Sequence, residues 1–234
     1  MSIFVLKIIA VFFMVVDHVK YALPSCVNEF TLYFGRISFP IFAFCIVQGY
    51  LHTHDIKKYL ERLLIAGAIS EVPYLLFNSL PTLEFINLNI MFSFALGILS
   101  IKSYEFYGGR WKGILAVLMI AIIAEISKVD YGVFGILLIF SFYIFRNSKY
   151  KMFIASFCVV AGKYLYRILV LQIGFKEYPI KNWICTSIPL LIVLLYNGKK
   201  GPGLKWFFYI FYPVHFFILW LISPYAINLL HLSI

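Results

Sequence analysis

Three ionisable residues stand inside stretches that otherwise read as lipid-spanning helix: Asp17 and His18 at the end of Met14–Val15–Val16, and Arg36 in Gly35–Arg36–Ile37–Ser38–Phe39–Pro40. Such groups are costly at membrane depth unless they pair with one another or line a wet cavity, so a chain that keeps them there uses them. Histidine suits proton transfer near neutral pH. Arginine cannot act as a base, but it can anchor a carboxylate, hold phosphate or carbonyl oxygens, or stabilise developing negative charge. Asp17 points about 100° away from His18 on a helix. It is better placed to pair with Arg36, or with a group on another helix, than to orient its own neighbour. Structural roles compete with these: His18 as an interfacial residue reaching headgroup water, and Arg36 as half of a buried ion pair.

The elements that must position these groups are apolar helices. Of the 234 residues 63% are hydrophobic and only 13% charged, and mean hydropathy is +0.93. Soluble domains carry about 25% charged residues. About nine apolar runs approach the length a bilayer requires, near 3–23, 30–51, 59–80, 86–101, 112–127, 131–146, 150–173, 183–197 and 204–224. The expected fold is all-α, a polytopic integral membrane helix bundle forming one domain over 1–234, with room for a tenth short element near the C-terminus. No stretch between runs is long enough for a soluble domain, and no internal repeat of the transporter kind is visible.

The net charge of +10 is explained by its distribution. Lys57, Lys58, Arg62, Lys102, Arg110, Lys112, Arg146, Lys149, Lys151, Lys199, Lys200 and Lys205 follow the even-numbered runs. Only Lys20, Lys128, Lys176 and Lys181 follow the odd ones. Twelve cations against four give a positive-inside bias that puts the N-terminus on the cytoplasmic side. A nucleic-acid partner is not expected. The first run is expected to stay as an uncleaved helix: Leu23–Pro24–Ser25–Cys26 resembles a lipoprotein cleavage site, but Asp17 and His18 interrupt the apolar region and no Ala-x-Ala site follows. The four cysteines have no paired spacing, and His52–Thr53–His54–Asp55 has too few ligands for a metal site, so neither a disulfide framework nor a metal is expected.

At about 1.5 Å per residue, His18 lies roughly 8 Å and Arg36 roughly 9 Å below the same outer face, on neighbouring helices. Other polar residues fall inside runs: Gln48, Glu71 before Pro73, Asn89, Lys163 with Arg167, and His215 after Tyr212–Pro213, while Glu125 and Asp130–Tyr131 flank the outer turn between the fifth and sixth. Each alone is ordinarily an interhelical hydrogen bond. Together they predict a polar interior cavity, and Lys57, Lys58 and Arg62 could hold cytosolic phosphates.

These stretches resemble the TraX family, integral membrane proteins named for the acetylase that modifies the N-terminus of conjugative pilin. The resemblance runs in order through Met14–Val15–Val16–Asp17–His18, Gly35–Arg36–Ile37–Ser38–Phe39–Pro40, Gln48–Gly49–Tyr50, Ile69–Ser70–Glu71–Val72–Pro73–Tyr74, Leu88–Asn89–Ile90, Asp130–Tyr131–Gly132 and Phe211–Tyr212–Pro213–Val214–His215. It implies a membrane acyltransferase taking acetyl-CoA from the cytosol and acetylating a peptide or glycan acceptor at the outer face. It implies His18, Asp17 and Arg36 as catalytic residues, acting by direct attack or through an acetyl-histidine. Ligand-binding roles fall on Arg36, Gln48, Arg62, Glu71, Asn89, Tyr131 and His215. Two other readings compete: a proton-coupled transporter or flippase with Asp17, His18, Arg36 and Glu71 as a relay, and a non-catalytic envelope assembly factor.

Overall fold

In the computed structural model, residues 1–23, 33, 35–79, 87–173, 180–203 and 205–223 are described. Nine α-helices occur among them: α1 Ile3–Ala22, α2 Ser38–His52, α3 Ile56–Ser79, α4 Ile90–Phe106, α5 Trp111–Ile126, α6 Gly132–Ile144, α7 Lys149–Leu165, α8 Ile180–Leu194 and α9 Lys205–Leu221. A 3₁₀ turn, Gly35–Ile37, precedes α2, and a π-helical turn, Tyr166–Val170, extends α7. The Leu23–Cys26 segment beyond Leu23, the loop expected between the first two runs and any tenth element lie outside the described residues.

Helix ends follow local chemistry rather than hydropathy. The second helix begins at Ser38, later than the apolar run suggests, with Pro40 in its first turn where a missing N–H costs little. Asp55 opens α3 by accepting the backbone N–H of Lys58 at 2.9 Å, which holds its carboxyl below the usual carboxylate range. Asn89 caps α4 by accepting the Met91 N–H at 3.0 Å, so that helix starts at Ile90. It then runs past the apolar stretch to Phe106. The polar extension is possible because Glu105 accepts the Tyr50 and Tyr143 hydroxyls at 2.5 Å each, joining α2 and α6 to the end of α4.

The central element is α2. It packs on α1, α4, α6 and α8, and Phe39, Ile41, Ala43, Phe44, Cys45 and Val47 are all buried along it. A helix buried on every side belongs at the centre of a bundle. Around it the neighbours run α1, α9, α3, α4, α6, α7 and α8, and the turn Gly35–Ile37 lies between α1 and α8. Helix α5 lies outside this ring against α4 and α6. Its outward face carries Leu115, Leu118, Met119, Ile122, Ile123 and Ile126, all exposed.

The chain alternates between two ends. At one end, Ile3 and Phe4 donate to the Lys199 and Lys200 carbonyls, and Lys149 Nζ donates to the Leu194 carbonyl at 2.7 Å. At the other, Leu88 donates to Lys128 and accepts from Asp130, an isolated bridge tying the start of α4 to the turn before α6. The first end carries the lysine-rich turns and is called the basic end. One helical stretch, Lys149–Val170, is long and apolar enough to cross a membrane by length and composition. Several of the others, at 13–17 residues, extend roughly 20–26 Å, short of a hydrocarbon core of about 30 Å.

Candidate functional site

His18 sits where two cavities meet. The larger, about 450 Å³, extends from the basic end, where Phe4, Lys7, Arg62 and Lys200 line it, along α2 to Asp17 and His18. The smaller, about 390 Å³, lies at the other end, lined by Arg36, Asn87, Glu125, Lys128, Lys163 and Arg167. Asp17, His18, Tyr74, Asp130 and Tyr131 line both. His18 and Arg36 therefore face a common cavity, although one is on α1 and the other in the turn before α2.

The close approach of that turn to α1 depends on a glycine. A Cβ on Gly35 would fall 2.3 Å from Asp17 Oδ1 and Cβ, so no other residue fits without displacing the helix or the turn. Asp17 forms a short ion pair with Lys20, one turn along α1 and itself buried. That pair lies within α1, beside the Gly35 turn.

His18 is enclosed by aromatic rings. Its centroid lies 4.6 Å from Phe216 and 6.0 Å from Phe77. Its Nδ1 lies 3.0 Å from Nε2 of His215 on α9. His215 in turn stacks on Phe211 at 5.3 Å and 3°, with Nδ1 3.2 Å from the Phe211 carbonyl oxygen. His215 is buried and lines neither cavity.

Across the junction stands the turn between α5 and α6. Tyr131 adopts a left-handed backbone (φ 65°), which is uncommon for a non-glycine residue. It is held there by stacking on Phe39 at 3.6 Å and 10°, by Lys163 Nζ 4.3 Å from its ring centroid, and by a hydrogen bond from Arg36 to its hydroxyl. Asp130 accepts the Tyr131 N–H at 3.0 Å. Burial pushes its carboxyl up to about 6, against the opposing pull of Lys163 and of that backbone hydrogen bond.

Of the residues singled out from sequence, the structure brings Asp17, His18 and Tyr131 to the junction, Arg36 to the smaller cavity, and Gln48 and Arg62 to the larger. It does not bring Glu71, Asn89 or His215 to either. Glu71 and Asn89 bind each other instead: Asn89 Nδ2 donates to Glu71 Oε2 at 2.5 Å and to the Gly67 carbonyl at 2.8 Å, pinning α4 to α3. Tyr74, Lys7 and Lys200 were not singled out for the site, yet all line a cavity. The signal for Tyr74 was its place after Glu71–Val72–Pro73; Lys7 was visible as a cation inside the first apolar run. Among the described residues no group of three or more His, Cys, Asp or Glu could hold a metal ion.

The larger cavity is asymmetric in charge. Its basic end has Lys7, Arg62 and Lys200, and its lining carboxylates, Asp17 and Asp130, stand at the junction. That arrangement favours a ligand with an anionic end and a less polar stem. The smaller cavity carries charges of both signs.

The family described as TraX protein matches residues 2–223. The probable fimbrial assembly protein FimC (serogroup H1) of Dichelobacter nodosus is 27% identical over 243 aligned positions, covering 93% of this chain and 94% of that protein. The protein TraX of Escherichia coli is 30% identical over 138 positions, 58% of this chain and 52% of that protein. No solved structure matches the chain.

Proposed function

The chain belongs to the TraX family, and from that premise we propose that it is a multi-pass acetyltransferase of the bacterial cytoplasmic membrane. It moves an acetyl group from cytosolic acetyl-CoA to an amine or hydroxyl of an extracytoplasmic peptide or glycan. The observation that carries this reading is the shared wall of the two cavities: one imidazole is reachable from a cavity at each end of the bundle. A donor and an acceptor on opposite faces can meet there without either crossing. Exposed apolar side chains around the bundle support membrane embedding, since surfaces of that extent are unusual against water. The lysine-rich turns support a cytoplasmic basic end.

Lys7, Arg62 and Lys200 suit the phosphates of the donor, and the stretch of cavity along α2, past Phe42 and Cys45, suits its pantetheine arm. His18 takes the proton from the acceptor N–H or O–H as the new bond to the acetyl carbon forms. The same imidazole returns that proton to the departing sulfur, so the products are the acetylated acceptor and free thiol. Arg36, through its own N–H groups or through the Tyr131 hydroxyl it bonds, supplies positive charge for the carbonyl oxygen as negative charge develops.

The fimbrial assembly name of the D. nodosus relative favours a second reading, a non-catalytic assembly factor. Purified protein in vesicles, given acetyl-labelled acetyl-CoA and a membrane extract, separates the two. The acetyltransferase moves label to an acceptor and His18→Ala abolishes it. An assembly factor binds a partner and moves no label, and a transporter moves acceptor without labelling it.

A further inference from the structure

His215 lies behind His18, away from both cavities, yet touches it. The hydrogen-bond pattern of the two rings is constrained by a carbonyl, which can only accept. Phe211 O lies 3.2 Å from His215 Nδ1, so that nitrogen carries a proton. In a neutral ring the other nitrogen, Nε2, is then an acceptor. His18 Nδ1, 3.0 Å away, must supply the donor. His18 in its neutral form thus has its proton on Nδ1 and a bare Nε2. The reverse arrangement would set a His215 lone pair against the carbonyl oxygen.

We propose that His215 is a positioning residue which, backed by the Phe211 carbonyl, fixes His18 in the Nδ1–H tautomer and leaves Nε2 as the proton-accepting atom at the junction of the cavities. Among the described residues the contact with His215 is the hydrogen bond recorded for His18. Nε2, on the far side of the ring from that bond, is the atom that remains for substrate. Orientation of a base by a second hydrogen-bonded group is the general requirement for a competent nucleophile–base pair. Here an imidazole and a main-chain oxygen fill the part often taken by a carboxylate. Nearby Asp17 is already engaged by Lys20. The packing also restricts ring rotation: Phe216 lies 4.6 Å from His18 and 4.2 Å from His215, and Phe211 stacks on the outer face of His215.

The role in catalysis rests on the acyl-transfer reading, whereas the tautomer does not, and the test keeps them apart. Full-length protein labelled with ring-¹⁵N histidine is placed in lipid nanodiscs, and the His18 resonances are assigned by difference against His18→Gln. The wild type is expected to show protonated Nδ1 and bare Nε2. His215→Leu removes the acceptor, so His18 should exchange between tautomers and acetyl transfer should fall about 100-fold in kcat. KM for acetyl-CoA should hold, because His215 lines neither cavity. His215→Gln, whose amide oxygen can accept the same bond, should restore the single tautomer and return transfer to within about tenfold of wild type. A cooperative thermal melt verifies that each variant is folded. A His18 proton on Nε2 in the wild type, or a tautomer unaffected by His215→Leu, overturns the proposal. A fixed tautomer in a protein that transfers no acetyl supports the positioning role of His215 and overturns the acyltransferase reading instead.

Discussion

Arg36 and Asp130 show what single side chains contribute beside His18. The Arg36 guanidinium is planar with several donors, and it serves the Tyr131 hydroxyl while facing the smaller cavity. A lysine has one donor centre and cannot reproduce that fork. Arg36→Lys is therefore expected to lower acetyl transfer about 10- to 100-fold with the fold intact, read by label transfer beside a thermal melt. Asp130 tests the electrostatics. Its folded carboxyl sits near pH 6, above an unfolded value of about 3.9. A raised acid pKa stabilises the folded state at low pH, and that contribution is lost as pH climbs from about 4 through 6. The wild-type melting temperature should consequently fall over that window relative to Asp130→Asn, and parallel curves would dismiss the assignment. Much of this was legible in the chain: Asp17, His18 and Arg36 announce themselves as charges in apolar runs. The His18–His215 contact did not, because 197 positions separate the rings and helix periodicity carries no information across such a distance. Glu71 and Asn89, which bond to each other away from both cavities, show a related point. A polar residue in an apolar run signals a buried partner without saying whether that partner is protein or ligand.

Among elements, the Gly35–Ile37 turn is the most constrained. Gly35→Ala would drive a methyl group into Asp17, and relief requires α1 and α2 to separate. Such overpacking costs about 1–3 kcal/mol, so a lower melting temperature and loss of transfer together are expected. Full activity in Gly35→Ala would mean that the approach is not needed. Glu105 gives a second test at this scale. It accepts hydroxyls from both α2 and α6, and Glu105→Ala should destabilise the basic end by about 1–3 kcal/mol, measured in detergent melts. Among the described residues the helices were readable because each carries its own apolar run. Ends were not, because a cap such as Asn89 or a polar anchor such as Glu105 sets them through a partner in another part of the chain.

The whole molecule should obey one topology. In a background without the native cysteines, Lys128→Cys is expected to react with a membrane-impermeant maleimide on intact cells. Lys57→Cys should react only after permeabilisation, both positions being exposed. The opposite pattern would invert the bundle. The two cavities carry a further physical implication. Hollows that approach each other from either face leave only the layer around Tyr74, Asp130, Tyr131 and His18 as insulation. In an energised membrane the voltage would drop mainly across that thin septum, where a unit charge is worth about 2.3 kcal/mol per 100 mV. A proton shuttled there would feel most of the transmembrane field, making the turnover rate itself sensitive to the cell's electrical state.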